Sequence, residues 1–387
     1  MQLKKGKRVA RQAPDWSIHS QLTNANERYP LSVQMSTPRV SICLPNYNTF
    51  PFLQERFDTI FHQTLQDWEL FVYDSFSDDG SWELIQRLAR QEKRMRIAQG
   101  PREGPYPAWN ECLRQTKAEY VYIATSDDAM ALDCLEKLAA ALDENQECDV
   151  AHCPLVIVDE AGAPVTDQKW PDCTVFGHGI GDLVRQPHVR KAPHDGLLQL
   201  TGMHNYLSIT QVLIRRSLFL RTGVFPSRWG SVSDFNWEMK AGLIASTVHV
   251  PDTWASWRIR PNQATATVDV RTVEHYRKFE DMVQDAVSAC EAYLDPRVMA
   301  GLKSGFLERA RVLRCYYAGL RHRQKPLDRR LFQLSQLCIG PVAVRSEIVG
   351  RVFGRPKWPE IAPAEIRSWL ESVGLRPLIP VDTNPHQ

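Results

Sequence analysis

Between Val40 and Leu142 short apolar runs rich in β-branched residues alternate four times with segments of helical periodicity, and this alternation limits the chain more than any other feature. The runs Val40 to Leu44, Leu70 to Tyr73, Met95 to Ala98 and Tyr120 to Ala124 have the length of buried strands. Between them Leu53, Phe57, Ile60, Phe61 and Leu65, then Trp82, Ile85 and Leu88, recur at helical spacing, and residues 107 to 116 and Leu132 to Leu142 read as two further helices. Asn48 or Thr49 can cap the first helix. Strands alternating with helices require right-handed crossovers and predict an α/β domain on a mainly parallel sheet flanked by helices.

After residue 150 the rhythm changes. Val150 to Val158 reads as a strand turning at residues 160 to 162, and a Gly-, Pro- and His-containing stretch then runs to about residue 200. Val212 to Ile214 predicts a strand, residues 216 to 222 a short helix closed by Gly223, and Phe235 to Ile244 a longer helix. From about residue 270 nearly all of the chain reads as helix. The expected organisation is a basic lead-in over 1–37, a catalytic-type domain over 38–268 and a helical C-terminal region over 269–387.

In open α/β sheets ligands bind at the carboxyl ends of the parallel strands. Three of those ends carry polar groups here: PNYN at 45–48, Asp74 with DSFSDDGS, and SDD at 126–128. Carboxylates delivered by separate strands to one edge suit a divalent cation that shares its oxygen ligands with a diphosphate. Asp74, Asp78 and Asp79 also suit a turn and a helix cap, so both readings stand at this point.

Taken together, VSICLPNYN, VYDSFSDDGS, AWN at 108–110 and AEYVYIATSDDAM resemble, in order, the first strand, second-strand loop and metal-motif segment of the inverting family-2 glycosyltransferases. The resemblance covers roughly residues 38 to 265 and implies a GT-A (Rossmann-like) fold, a nucleotide-sugar donor, UDP-linked as the family favours, and transfer to a hydroxyl with inversion. Carried over residue by residue, it makes Asp127 the metal-binding aspartate with help from Asp128, Asp74 the base-binding acid, Asp79 a support of that loop, and Pro45, Tyr47, Asn48, Asn110 and Ser126 the rest of the nucleotide site. The first position of the metal motif, acidic in the family, is Thr125 here. Mn²⁺ or Mg²⁺ is the implied cofactor.

Inversion needs a base for the acceptor hydroxyl as it attacks opposite the departing diphosphate. Asp234, in RWGSVSDFNWEM, resembles the family's acid before the acceptor-side helix, and Glu238, one turn on, is its rival. An N-cap role for Asp234 is compatible with either. The segment WASWRIRPNQATAT resembles the stretch that approaches the leaving diphosphate, which Arg258 and Arg260 would neutralise unless they are an exposed loop pair. His178, His188, His194 and His204 lack metal-ligand spacing and read as loop residues. Trp170, Tyr206, Trp229 and Trp237 are either an acceptor platform or core.

Partners follow from the same reading. The acceptor is a carbohydrate or a lipid-linked glycan, in the making of a cell-surface polysaccharide or glycoconjugate, and at a net charge of +2 no nucleic-acid partner is expected. The nine scattered cysteines show no CxxC pair, which predicts reduced thiols and a cytoplasmic chain, and the basic N-terminus has no apolar run behind it to make a signal or anchor. Basic residues from Arg309 to Arg330 interleave with Leu313, Tyr316, Tyr317, Leu320 and Leu327, a mix that suits either peripheral contact with the inner face of the cell membrane or ordinary amphipathic helices. Two other functions compete: a nucleotidyltransferase, which would want a Gly-rich basic loop that PNYNTF lacks, and a non-catalytic module that binds sugar or protein on the same fold.

Overall fold

The computed structural model describes residues 37–169, 181–203, 208–261, 263, 273–321, 325–354 and 358–381. The lead-in up to residue 36, the expected boundary at 268 and the candidates Trp170, His178, His204 and Tyr206 lie outside the described residues.

The alternation read from the sequence forms as β1 (Val40–Asn46), α1 (Phe50–Phe61), β2 (Trp68–Asp74), α2 (Ser81–Ala89), β3 (Met95–Gln99), α3 (Pro105–Arg114), β4 (Tyr120–Ile123), α4 (Cys134–Glu144) and β5 (Cys148–His152). β1 is buried along its whole length because helices cover both faces of the sheet. Its period of two divides the core: Ile42 and Leu44 pack with α1, α2 and α4, whereas Cys43 packs with α3. Burying each such aliphatic side chain stabilises the fold by about 1.5–3 kcal/mol.

Next come β6 (Leu155–Val158), β7 (Pro164–Lys169), β8 (His188–Arg190), α5 (His194–Leu200), β9 (Val212–Arg215), α6 (Leu218–Thr222), α7 (Asp234–Ile244), β10 (Ser246–His249) and β11 (Ala255–Arg258). The nine-stranded sheet has the order β12-β8-β10-β5-β9-β4-β1-β2-β3, where β12 (Leu378–Pro380) is the last strand of the chain. β10, β5, β4, β1, β2 and β3 run one way; β9 enters antiparallel between β4 and β5, and β8 is antiparallel to β10. A second sheet has the order β11-β6-β7, and its β11, which ends in Arg258, is tied to the loop after β4 by the Arg258 amide, which donates to Asp128.

The C-terminal helices are α8 (Val273–Cys290), α9 (Pro296–Lys303), α10 (Glu308–Arg321), α11 (Pro326–Ile339), α12 (Val342–Val352) and α13 (Trp358–Ser372). They share one core with α5 and α7, including Leu198, Met239, Leu243, Met282, Leu313 and Leu370. Leu313, Tyr316 and Tyr317 are therefore buried among helices. α5 and α7 cross at Gly196 and Gly242, so closely that a Cβ on Gly196 would lie 2.3 Å from the Leu243 nitrogen. α7 consequently is buried almost all round.

Candidate active site

The loops after β1 and β2 are tied together side chain by side chain. Asp74, fully buried at the end of β2, accepts hydrogen bonds at Oδ1 from Asn46 Nδ2 (2.6 Å) and Ser77 Oγ (2.6 Å), and at Oδ2 from the Ser77 amide (2.9 Å) and Gln99 Nε2 (2.9 Å). That curl forces Phe76 to φ 52°, a left-handed conformation that bulky residues seldom adopt, and leaves its ring 58% exposed. Asn48, at φ 50°, donates from Nδ2 to Asp78 Oδ1 (2.8 Å) and accepts the Asp78 amide at Oδ1 (3.1 Å).

Thr49 makes no capping hydrogen bond; its hydroxyl donates to Asn46 Oδ1 (2.5 Å). Asp79 caps both helices instead, accepting the Phe50 amide at Oδ2 (2.9 Å) and the Ser81 amide at Oδ1 (3.0 Å). Burial would raise its carboxyl, but the hydrogen bonds from Ser81 and Phe50 outweigh that and hold it below the usual range. Pro45 is buried in β1, whereas Tyr47 lies at the surface beneath the Arg102 guanidinium, 3.9 Å from its ring centroid, and accepts from Arg102 Nη1 (3.1 Å).

The loop after β4 divides its two acids. Arg260 donates from Nε (2.9 Å) and Nη2 (2.6 Å) to a single oxygen of Asp127, Oδ2. Asp128 is buried and turned to the protein: its Oδ2 accepts from the Thr125 hydroxyl and its Oδ1 from the Arg258 amide (2.8 Å). Burial and then the neighbouring Asp127 charge push the Asp128 carboxyl up to about 7. Ser126 is buried beside them. Arg258, 2% exposed, braces three segments, donating to the Asp127 carbonyl (2.8 Å), the Asp159 and Glu160 carbonyls (3.3 and 3.0 Å) and Glu55 Oε2 (2.6 Å). Both guanidiniums also lie about 5 Å from the Phe52 ring, at 5.1 Å for Arg258 and 5.0 Å for Arg260.

Among the described residues no group of three or more His, Cys, Asp or Glu side chains is arranged to hold a metal. Among the described residues of this loop, the carboxylate offered to a cation is Asp127, partly exposed with Arg260 on its Oδ2, which fits a hard divalent ion that takes its other ligands from phosphate and water.

Asp234 is the first residue of α7. Its Oδ1 accepts from the Tyr106 hydroxyl (2.9 Å) and the Phe235 amide (3.1 Å). Tyr106 sits at the start of α3, just past the carboxyl end of β3, so this contact brings Asp234 to the same sheet edge as Asp74 and Asp127. Burial, then the Asp234 charge, pushes the Tyr106 hydroxyl far up, so it stays protonated, and its one hydrogen is shared between that carboxylate and the Ser231 carbonyl (2.9 Å). Asn110, one turn further along α3, forms a reciprocal pair with Phe225, donating to its carbonyl (2.7 Å) and accepting its amide (3.0 Å). Glu238 is 1% exposed, and burial pushes its carboxyl up to about 8. Trp229 and Trp237 are both buried in the core. His188 lies within β8 and His194 starts α5, each buried, so neither is a loop residue.

Residues 41–189 match the model of glycosyl transferase family 2. That segment, under half of the chain, is similar to the family. Among curated relatives, the putative teichuronic acid biosynthesis glycosyltransferase TuaG of Bacillus subtilis (strain 168) is 25% identical over 33% of this chain and 51% of its own length. The chain spans only about a third to a half of the first curated relatives it matches, 33%, 42% and 51% of their lengths. Among solved structures, Staphylococcus aureus TarS 1–349 in complex with UDP-GlcNAc superposes with a TM-score of 0.54 at 15% identity, covering 87% of this chain and 92% of that one. The mannosyltransferase PcManGT from Pyrobaculum calidifontis, in complex with GDP-Man and Mn²⁺, superposes with a TM-score of 0.50 at 15% identity, covering 87% of each chain. The fold is GT-A, as the family-2 resemblance implies, with a helical C-terminal part.

The family resemblance could not reach Tyr106, Glu55 or Phe52. Tyr106 lies in PYPAWN, four residues before the recognised Asn110, and only the 128-residue step to Asp234 marks it.

Proposed function

We propose that this chain is an inverting glycosyltransferase that moves a hexosyl group from a UDP-linked donor to a hydroxyl of a cell-surface glycan or its lipid-linked precursor. The observation that carries the reading is Asp234, a carboxylate at the sheet edge that also bears Asp127, oriented by a tyrosine hydroxyl that stays protonated.

The acceptor oxygen attacks the anomeric carbon while its proton passes to the Asp234 carboxylate. The bond between that carbon and the diphosphate oxygen breaks on the opposite face, which inverts the centre. Burial of Glu238 supports Asp234 over its neighbour, because a carboxyl pushed up to about 8 is largely protonated at neutral pH and cannot accept the proton. A divalent cation, Mn²⁺ or Mg²⁺, held by Asp127 would neutralise charge on the leaving diphosphate. Arg260, already beside Asp127, is placed to share that charge, whereas the bracing contacts of Arg258 support a role in holding the loop. Saturation of Asp74 supports a role in shaping the base-side loop, on which Tyr47 and Asn48 are more exposed. TarS with UDP-GlcNAc and PcManGT with Mn²⁺ lend support through the shared fold.

The test is Asp234→Asn, assayed for sugar transfer and for UDP affinity. Transfer should fall about 10²-fold or more with nucleotide binding unchanged. Asp127→Ala should lose the Mn²⁺-dependent part of UDP binding while remaining folded. Near-normal transfer by Asp234→Asn would remove it as base.

A further inference from the structure

Helix α11 carries its most apolar stripe on the outside. At about 100° per residue, Leu327, Leu331, Leu334 and Cys338 fall within an arc of roughly 60°. All four are exposed, the leucines by 66%, 56% and 58%, and no residue of α11 is fully buried. The side of α11 that packs is the opposite one, where Phe332 stacks on Tyr316 at 5.9 Å between ring centroids. A soluble helix normally does the reverse.

The next helix repeats the arrangement. Along α12 and its C-cap, Val342, Val349 and Phe353 share one arc and are exposed by 68%, 48% and 81%, while Val344, Glu347 and Ile348 on the other side are buried. Ile339, at the joint between the two helices, is 83% exposed, and Val352 is 79% exposed. Among the described residues, Lys325, Arg329, Arg330 and Arg345 are the exposed basic groups on this pair, against one exposed acid, Asp328. Arg330 and Arg345 each lie about 60° from the centre of an apolar stripe, at its rim.

We propose that the outward faces of α11 and α12 form an interfacial anchor that inserts apolar side chains into a bilayer surface rich in anionic lipid. Protruding leucine, valine and phenylalanine side chains reach the acyl boundary while the arginines at the rim meet lipid phosphates, the combination that binds amphipathic helices in the interface plane. A second copy of the chain fits less well, because pairing the stripes about a two-fold axis would set the rim arginines against one another. No helix among the described residues is long and apolar enough to cross a membrane, so the contact is with its surface. The inference goes beyond the proposed transfer reaction and does not depend on it.

The experiment is co-sedimentation of the full chain with vesicles of phosphatidylcholine alone and of phosphatidylcholine with phosphatidylglycerol, at low and high salt. Two double variants, Leu331→Gln with Leu334→Gln and Val352→Gln with Phe353→Gln, accompany the wild type; since these side chains are exposed, their unfolding midpoints should stay at the wild-type value. Binding is expected to the anionic vesicles, weakened by salt, and reduced about tenfold or more in each double variant. Absence of binding to anionic vesicles at low salt overturns the proposal, as does wild-type binding by both variants. A dimer in sedimentation velocity that the same substitutions dissociate, without vesicle binding, would assign the stripes to self-association instead.

Discussion

The protonation of Glu238 can be tested through stability. In the unfolded chain this carboxyl titrates near its ordinary 4.5, and in the folded protein burial raises it to about 8. Between those values the folded state holds a proton that the unfolded state has released, so stability from this group is complete below pH 4.5 and declines as pH rises towards 8. At about 1.4 kcal/mol per pH unit the interval amounts to about 5 kcal/mol. Glu238→Gln keeps the shape of the neutral acid and removes the titration. Urea unfolding of wild type and variant from pH 5 to 8.5 should therefore give curves that diverge with pH, the variant becoming relatively more stable by several kcal/mol. Sugar transfer at pH 7 should survive in the variant, because the group it replaces is already neutral. Parallel stability curves would show that Glu238 is ionised at neutral pH, and the argument that burial disqualifies it as the base would fail.

His188 predicts the opposite trend in acid: burial and then the Arg190 charge lower it to about 4, with Gln186 O and Arg190 Nη1 on its two nitrogens and Asp195, His152 and His249 completing the cluster. Its contribution is present above pH 6.5 and lost as pH falls towards 4, about 3 kcal/mol in all, and His188→Asn should flatten that part of the urea-midpoint profile; an unchanged slope counts against it. Gly196→Ala should lower stability by about 1–3 kcal/mol or more, since its Cβ meets the α7 backbone rather than a movable side chain, and a wild-type Tm would refute so tight a crossing.

Much of the site-bearing half was legible because it is local. Four strand-and-helix repeats, and polar residues where each strand must stop, follow from periodicity within a dozen residues, so β1 to β4 and α1 to α4 form where the sequence predicts them. Gly223 closes α6 at φ 72° for the same kind of reason. Even here the cap of α1 is not the local Asn48 or Thr49 that the sequence suggests, because the acceptor that reaches Phe50 comes from Asp79, 29 residues on.

What tertiary structure decided is which groups meet. An acidic residue's letter is the same whether its carboxylate is ion-paired, saturated by hydrogen bonds or buried and protonated, and Asp127, Asp74 and Glu238 give these three different answers. Arg260 reaches Asp127 across 133 residues and Tyr106 reaches Asp234 across 128. β9 enters between β4 and β5, and β12 returns to β8 from the chain's far end. The apolar pattern of α11 looks like that of any core-facing helix, and only its packing turns the stripe outward. Periodicity fixes the local conformation of a segment, but burial, charge state and partner depend on chain that is distant in sequence and close in space.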